Sequence, residues 1–463
     1  MLHAEFRMQR VFVISILGLV ACTSQREPVD AGPILHATRP ALSEPGSTDA
    51  SDLCDLSLET ARALVIERHP DILLALTTMQ RADARLLDAA AAFRPTLELS
   101  GTGTLNDEAV AFDMPGAGSF TIRPRWQQQW NASLGYSLFA FGRDQATRAS
   151  RHAERAATEL ERRAIMAQLT EDVTVAWHRV HAAAGHVGVA EETLRLADKQ
   201  VADATALVEA GQRTRDTLLT AAVDLLARRQ DLVVANNALV HAKRVLNTLL
   251  VRSLDSAVEL APQPASQPAL PALADLLAQA ERDNPTLLAL RKRREGLRHA
   301  RDAVKAGSLP ELSLALSARH DGTPTFGSPA TSGDLSLALR WLIVDGGRRA
   351  AEIAALHADA VGLDARERSE ILRLHSELSR AHLDHEEAHS AQDLARQGAL
   401  AAEENHRIVQ ERVRAGVLTS REELEARRAL AEARHQITEA TFRMASAAAR
   451  VERLSAAAPP PQP

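Results

Sequence analysis

Aromatic residues are scarce in this chain. They make up 3% of 463 residues, with one tyrosine, four tryptophans and nine phenylalanines, so where they sit carries information. Cysteine is scarcer still: Cys22 and Cys54 are the whole supply, which excludes a disulfide framework. No apolar run is long enough for a transmembrane helix. The net charge of −6 argues against nucleic acid as a partner. Proline is absent between Arg143 and Glu209, so nothing there breaks a helix.

What is present is present twice. Arg68-His69-Pro70 opens a helical stretch ending at Phe93-Arg94-Pro95-Thr96-Leu97, and Asp283-Asn284-Pro285 opens another ending at Ser308-Leu309-Pro310-Glu311-Leu312. Both proline pairs lie at one offset, since 285 − 70 and 310 − 95 each give 215. Leu138-Phe139-Ala140-Phe141-Gly142-Arg143 and Leu342-Ile343-Val344-Asp345-Gly346-Gly347-Arg348 form a second pair of landmarks, and Gly211 and Gly416 a third. Each half reads helix, strand pair, very long helix, Gly turn, helix. Such a repeat predicts one interwoven unit rather than independent domains.

Met8-Gln9-Arg10 followed by the short apolar run Val11 to Ala21 reads as a cleaved export signal, whether translation starts at Met1 or Met8. The junction Leu19-Val20-Ala21-Cys22 resembles a bacterial lipobox. That resemblance implies acylation of Cys22, and Thr23 after it implies sorting to the outer membrane. The rival is an ordinary signal peptide with a Cys22–Cys54 bridge. Residues 23–50, rich in Pro, Ser and Gly, read as a tether.

The aromatics gather where the sequence alternates. Phe93, Phe112, Phe120, Trp126, Trp130, Tyr136, Phe139 and Phe141 fall in the first strand region, Phe326 and Trp341 in the second. Leu97, Leu99, Gly101, Gly103 and Leu105 point one way; Glu98, Ser100, Thr102 and Thr104 point the other. Trp130, Ala132, Leu134, Tyr136 and Leu138 alternate with polar residues, and Leu312, Leu314 and Leu316 share an apolar face with Leu335, Leu337, Leu339 and Trp341. Period-two patterning with aromatics fits strands that meet lipid on one face and water on the other. Four strands cannot close a spanning barrel, and open edges are not tolerated in hydrocarbon. Three chains would supply twelve.

The helices are long. Met166, Leu169, Val173, Ala176, Val180, Ala183, Val187, Ala190, Leu194, Ala197, Val201, Ala204 and Val208 follow alternating steps of three and four. This predicts a coiled-coil seam on a helix of about 65 residues, on the order of 100 Å long. The return helix after Gly211 carries Leu225, Leu232, Leu239 and Leu246 at seven-residue spacing, with Leu226, Val233 and Val240 beside them. The second half repeats the plan with Ile371, Leu374, Leu378 and Ala381, but its register is not readable beyond His385.

In order, duplication and spacing these features resemble the outer-membrane efflux protein family, the TolC-like channel-tunnels, over Leu53 to Leu454. Leu56-Ser57-Leu58-Glu59-Thr60-Ala61 adds to the match. The resemblance implies a mainly α fold with a small β part, in which three chains share a twelve-stranded barrel and a periplasmic helical tunnel. It implies a homotrimer in the outer membrane of a Gram-negative bacterium, a periplasmic adaptor and an inner-membrane pump, in the lipoprotein branch paired with resistance-nodulation-division pumps. No cofactor or metal follows from it. The near-absence of tyrosine departs from the pattern, as does a first strand–strand loop, Asn106 to Gln129, longer than the second, Ser317 to Gly333.

The division expected is 1–21 signal, 22–52 lipidated tether, 53–250 first repeat, 251–270 Pro-rich linker, 271–456 second repeat and 457–463 tail. The tip turns, Gly211, Arg213 and Thr214 in one half and Gly416, Val417, Leu418 and Thr419 in the other, face the adaptor if the resemblance holds. Glu422 and Glu425 match acids that narrow the tunnel mouth in the family. The bland alternative is a capping box with Ser420 as N-cap and Glu423 three residues on. Arg213 and Arg215 offer a weak latch to those acids.

His385-Glu386-Glu387-Ala388-His389 matches the zinc-protease pattern H-E-x-x-H. It sits mid-helix, without the third ligand or cleft that a catalytic zinc needs. His382 and His385 echo His178 and His181 at an offset of 204, a recurrence read as inherited sequence on a solvated face. An exit duct for an exporter is thus the leading expectation. A barrel-less periplasmic coiled-coil protein and a zinc hydrolase are the alternatives.

Overall fold

The computed structural model describes residues 55–456, apart from 115, 117, 264–269, 323–328 and 416. Cys22, Cys54, Gly416, the signal, the tether and the tail lie outside the described residues. The first half contains α1 (Leu58–Arg68), α2 (Pro70–Ala91), β1 (Thr96–Leu105), β2 (Val110–Met114), β3 (Gly118–Arg123), β4 (Trp126–Phe139), α3 (Arg143–Glu209) and α4 (Arg215–Leu249). The second contains α5 (Leu273–Asp283), α6 (Pro285–Ala306), β5 (Glu311–Asp321), β6 (Thr331–Arg340), α7 (Arg348–Arg414) and α8 (Ser420–Ser455).

Corresponding helices match in length: 11 residues for α1 and α5, 22 for α2 and α6, 67 for α3 and α7. Proline at the first turn of α2 and α6 fixes a helical φ where the N–H has no partner anyway. The offset is 215 up to the strands but 205 beyond them, since 348 − 143 and 414 − 209 both give 205. The first half spends the difference on a two-stranded β2–β3 ribbon, where a plain loop was expected.

The long helices run through two tiers. Near the strands α2 packs on α3, α3 on α6 and α6 on α7; farther on, α4 packs on α3, α3 on α8 and α8 on α7. The expected seam of α3 is inside: Met166, Leu169, Val173, Ala176, Val180, Ala183, Val187, Ala190, Ala197 and Ala204 are all buried. Trp177 joins them, its indole N–H donating to the Leu56 carbonyl at 3.0 Å. That core also takes Val65, Leu246 and Leu250, while Leu276, Leu287, Leu374, Leu378, Val451 and Leu454 form a second one.

In the second half the seam continues through His385, Ala388, Gln392 and Ala395. Polar side chains at two core positions are why the sequence loses its period there. With the offset at 205, His178 corresponds to Leu383 rather than to His382. The histidine echo at 204 is therefore out of structural register, and the face is not solvated, since His178 and His385 are both buried.

Leu226, Val233 and Val240 do not join the seam of α4. With Leu219 and Val223 they form an exposed apolar stripe, Val223 at 67%. On α7, Val361, Leu372, Leu383 and Leu394 recur every 11 residues and are exposed as well. Eleven residues make just over three whole turns, so this stripe runs nearly straight along the helix.

Candidate functional site

Three places position functional side chains: the faces of the four-stranded sheet, the corners where strands become helices, and the hairpin tips. The sheet has the order β1-β4-β5-β6, so the two halves join through β4 and β5. Its register places Leu97, Leu134, Leu316 and Leu335 in one cross-strand row, Leu99, Ala132 and Ala318 in another, and Tyr136, Leu314 and Leu337 in a third. A bulge between Ser137 and Phe139 puts Phe139, instead of the expected Leu138, in the row of Leu312 and Leu339. On this face nothing covers the large side chains: Leu99 is 72% exposed, and Trp126, Trp130 and Leu337 are exposed too. The indole of Trp130 lies over Gly101 and that of Trp126 over Gly103, where a Cβ would collide with each ring.

The opposite face is polar. Glu98, Ser133, Ser317 and Asp334 share one row, and Ser100, Asn131, Arg319 and Ser332 the next. Ten residues of β1, tilted as in a barrel, rise about 25 Å, the height of an outer-membrane apolar band. Within the sheet β1 and β6 each have one unpaired edge. An apolar face, a wet face and two open edges are what one share of a larger barrel requires.

At the first corner Arg143 donates to both carboxylate oxygens of Glu311 (3.0 and 3.1 Å) and to Asp144 (3.0 Å). At the second, Arg349 donates to Asp345, to the Gly307 carbonyl (3.0 Å) and to the Leu342 carbonyl (2.9 Å). Each long helix starts from a glycine at φ 89°, Gly142 and Gly347, a conformation that favours glycine.

The tips are congruent. Gln212 and Arg213 donate their backbone N–H groups to the Leu207 carbonyl, and Val417 and Leu418 donate theirs to the Arg412 carbonyl, five and six positions back in the same register. Gly211 takes φ 70° to make the turn. Thr214 and Thr419 are the N-caps of the return helices. The cap lies one residue earlier than expected, at Thr419 with Glu422 rather than Ser420 with Glu423. The Glu422 carboxylate accepts from the Thr419 N–H at 2.6 Å and the Thr419 hydroxyl at 2.9 Å, and these bonds lower its pKa. Glu423 turns inward to Arg427 at 3.1 Å, and Glu425 pairs with Arg421 at 3.3 Å. No latch from Arg213 or Arg215 to Glu422 or Glu425 forms among the described residues. The halves are tied higher up, by Arg428–Asp224 at 3.0 Å and Arg427–Gln200 at 2.9 Å, contacts that sequence reasoning missed.

The H-E-x-x-H segment is divided between core and solvent: His385 is buried in the seam and His389 is exposed. Among the described residues no group of three or more His, Cys, Asp or Glu is placed to hold a metal ion. No helix among them is long and apolar enough to cross a membrane.

The family model described as outer membrane efflux protein matches residues 62–251 and 276–457. No curated protein matches the chain. Among solved structures the CusC channel superposes with a TM-score of 0.73 at 16% identity, over 87% of this chain and 92% of that one. The outer-membrane channel OprN gives 0.73 at 18%, over 91% and 96%. The outer membrane protein VceC from Vibrio cholerae gives 0.71 at 16%, over 86% and 95%. The two matched segments cover most of the chain and correspond to its two halves. The chain belongs to the outer membrane efflux protein family.

Proposed function

We propose that this member of the outer membrane efflux protein family is the passive exit duct of a tripartite exporter, with no chemistry of its own. Three copies close the twelve-stranded barrel, edge β6 of one meeting edge β1 of the next. The paired edge strands at each seam satisfy the backbone groups that hydrocarbon leaves without partners. Below the membrane four helices per copy give a twelve-helix wall. A periplasmic adaptor and an inner-membrane pump load it.

The observation that carries this reading is the position of the exposed apolar stripes. They lie on α4 and α7, the outer members of the series α4, α3, α8, α7, where a neighbouring copy must dock. Apolar area of that extent is covered in a stable protein. Replacing Leu372 and Leu394 by arginine tests it. The heat-resistant trimer of outer-membrane fractions is expected to be lost while each chain keeps its helical content. A trimer that survives both charges defeats the reading.

In the assembled duct the tip turns, Gly211, Arg213 and Thr214 with Gly416, Val417, Leu418 and Thr419, receive the adaptor. Glu422 and Glu425, both exposed, give two threefold rings of carboxylate at the mouth, which favour cations. Their joint replacement by glutamine is expected to reduce cation selectivity in planar bilayers. Acylated Cys22 adds a lipid anchor, and mass spectrometry of the mature N-terminus tests that.

A further inference from the structure

The corner that follows β6 carries an apolar surface that the rest of the chain leaves uncovered. Beyond Arg340 the chain carries Trp341, Leu342, Ile343 and Val344 in succession, and all four are exposed, Val344 at 80%. In the first half the matching positions, 205 earlier, belong to β4, and all but the bulged Leu138 are paired in the sheet. Here they stand outside it. The segment is held in place: the Trp341 indole N–H donates to the Ser308 carbonyl at 2.9 Å, and Arg349 grips the Leu342 carbonyl. A pinned backbone with four bare apolar side chains is a surface made to be covered. Trp341 continues the outward parity of Leu335, Leu337 and Leu339, so this surface is continuous with the lipid-facing belt.

Two cations border it. Lys305 lies one turn from the tryptophan contact, since Ser308 bonds back to the Lys305 carbonyl through both its N–H and its hydroxyl. Arg348 adjoins the clamping Arg349. Both are exposed, and neither side chain has a hydrogen bond or ion pair among the described residues. Two acids of the corner are engaged, Glu311 by Arg143 and Asp345 by Arg349, while Glu352, one turn along α7 from Arg348, makes no ion pair with it.

We propose that the β6–α7 corner is an interfacial anchor for anionic phospholipid of the periplasmic leaflet. Trp341 to Val344 enter the glycerol and upper acyl region, and Lys305 and Arg348 take the phosphate. The chemistry is that of interfacial tryptophan beside basic residues at a negatively charged leaflet. The inference rests on the outer-membrane placement above, which fixes the strand–helix corner at the periplasmic side.

The test uses the full-length trimer, titrated with phosphatidylglycerol or phosphatidylethanolamine and read by native mass spectrometry. Wild type is expected to retain phosphatidylglycerol preferentially. Each of Lys305→Gln and Arg348→Gln should weaken that retention about five-fold, the worth of one basic residue near an anionic surface. Millimolar inorganic phosphate should leave it unchanged; displacement by phosphate would mean a free-anion site and overturn the proposal. So would equal retention of both lipids, or full retention in the double variant. A bimane label at Val344→Cys should be quenched by lipid carrying a nitroxide near its headgroup. No quenching would mean that a neighbouring copy covers the corner, which also overturns it. Failure of the wild type to form a trimer would instead defeat the duct reading, so the two failures are distinguishable.

Discussion

The two long helices, α3 and α7, have equal length, start from the same kind of glycine and end in the same turn, yet they bury different chemistry. Along α3 the positions Val180, Ala183, Val187 and Ala190 are an apolar ladder; along α7 their counterparts are His385, Ala388, Gln392 and Ala395. Trp177, the largest buried side chain, stands opposite His382 in the other half. Backbone geometry has been kept while side-chain chemistry has diverged. A 67-residue helix in a coiled coil is specified by the spacing of its seam and needs only compatible volumes at each step. The first half therefore carries the larger share of stabilising burial, with Trp177 joined to Leu56 and Leu246. The second meets its neighbours through polar contacts such as Gln392 to Thr441 at 2.8 Å.

Removing the side chain that most separates the halves should have the largest effect. Trp177→Ala empties a filled core position and abandons the Leu56 carbonyl, and costs about 3–5 kcal/mol. His382→Ala, at the matching position, should cost far less. Heat-induced loss of helical signal in the detergent-solubilised protein measures both, and equal losses would end the asymmetry.

Exchanging the seams comes next. The buried His385 Nε2 has no hydrogen-bond partner. His385→Val removes that orphan and should raise stability, by about 1–2 kcal/mol. Val180→His imports the defect into the tighter ladder and should cost about 2–3 kcal/mol. Both midpoints moving in one direction would show that the two seams are equivalent after all.

Acid should also act on the halves unequally. Burial pushes the pKa of His178 down to about 4, and nearby His181 and Arg62 add to the effect. Its Nδ1 meets the Gln263 amide at 2.8 Å. The unfolded chain takes up this proton near pH 6.5, whereas the native chain resists until about pH 4. Stability is therefore full above pH 6.5 and falls as the pH drops through that window, by ~3 kcal/mol at most. Leu383 holds the matching place in the second half and has no proton to take up. His178→Asn should lessen the pH dependence between 4 and 6.5, the remainder coming from His181, His186, His385 and His406, which burial also pushes down, and an unchanged slope would assign it wholly to them.

How much of this was legible in the sequence follows the same divide. The α3 seam was readable because every step lands on an apolar residue, and the Gly-bounded limits of α3 and α7 needed only the repeat. The α7 seam was not, because histidine and glutamine break the period that marks a helix face. The stripe on α4 also misled. Apolar residues at helical spacing look alike whether they face the same chain or a neighbouring copy, and only exposure separates Leu225 from Leu226. The β2–β3 ribbon escaped because Pro115 and Gly116 to Gly118 read as loop, although Phe112 and Phe120 oppose each other across it.

The smallest expected effect lies at the tips, where the turns are congruent but the caps are not. Thr217 stands where the second half has Glu422, so the first return helix has the N-cap threonine without its reciprocal acid. Asp216 bonds to Thr214 instead, which lowers its pKa. Thr217→Glu should complete the box and slow amide exchange over the first turn of α4, and Glu422→Gln should speed it over the first turn of α8. Neither is expected to move the global midpoint, because a cap at a fully exposed turn protects only local opening. If Glu422→Gln leaves exchange unchanged while altering cation selectivity, then the carboxylate serves the mouth of the duct and the cap is incidental. If exchange rises and selectivity holds, Glu422 is a structural acid, and Glu425 is left as the gate acid.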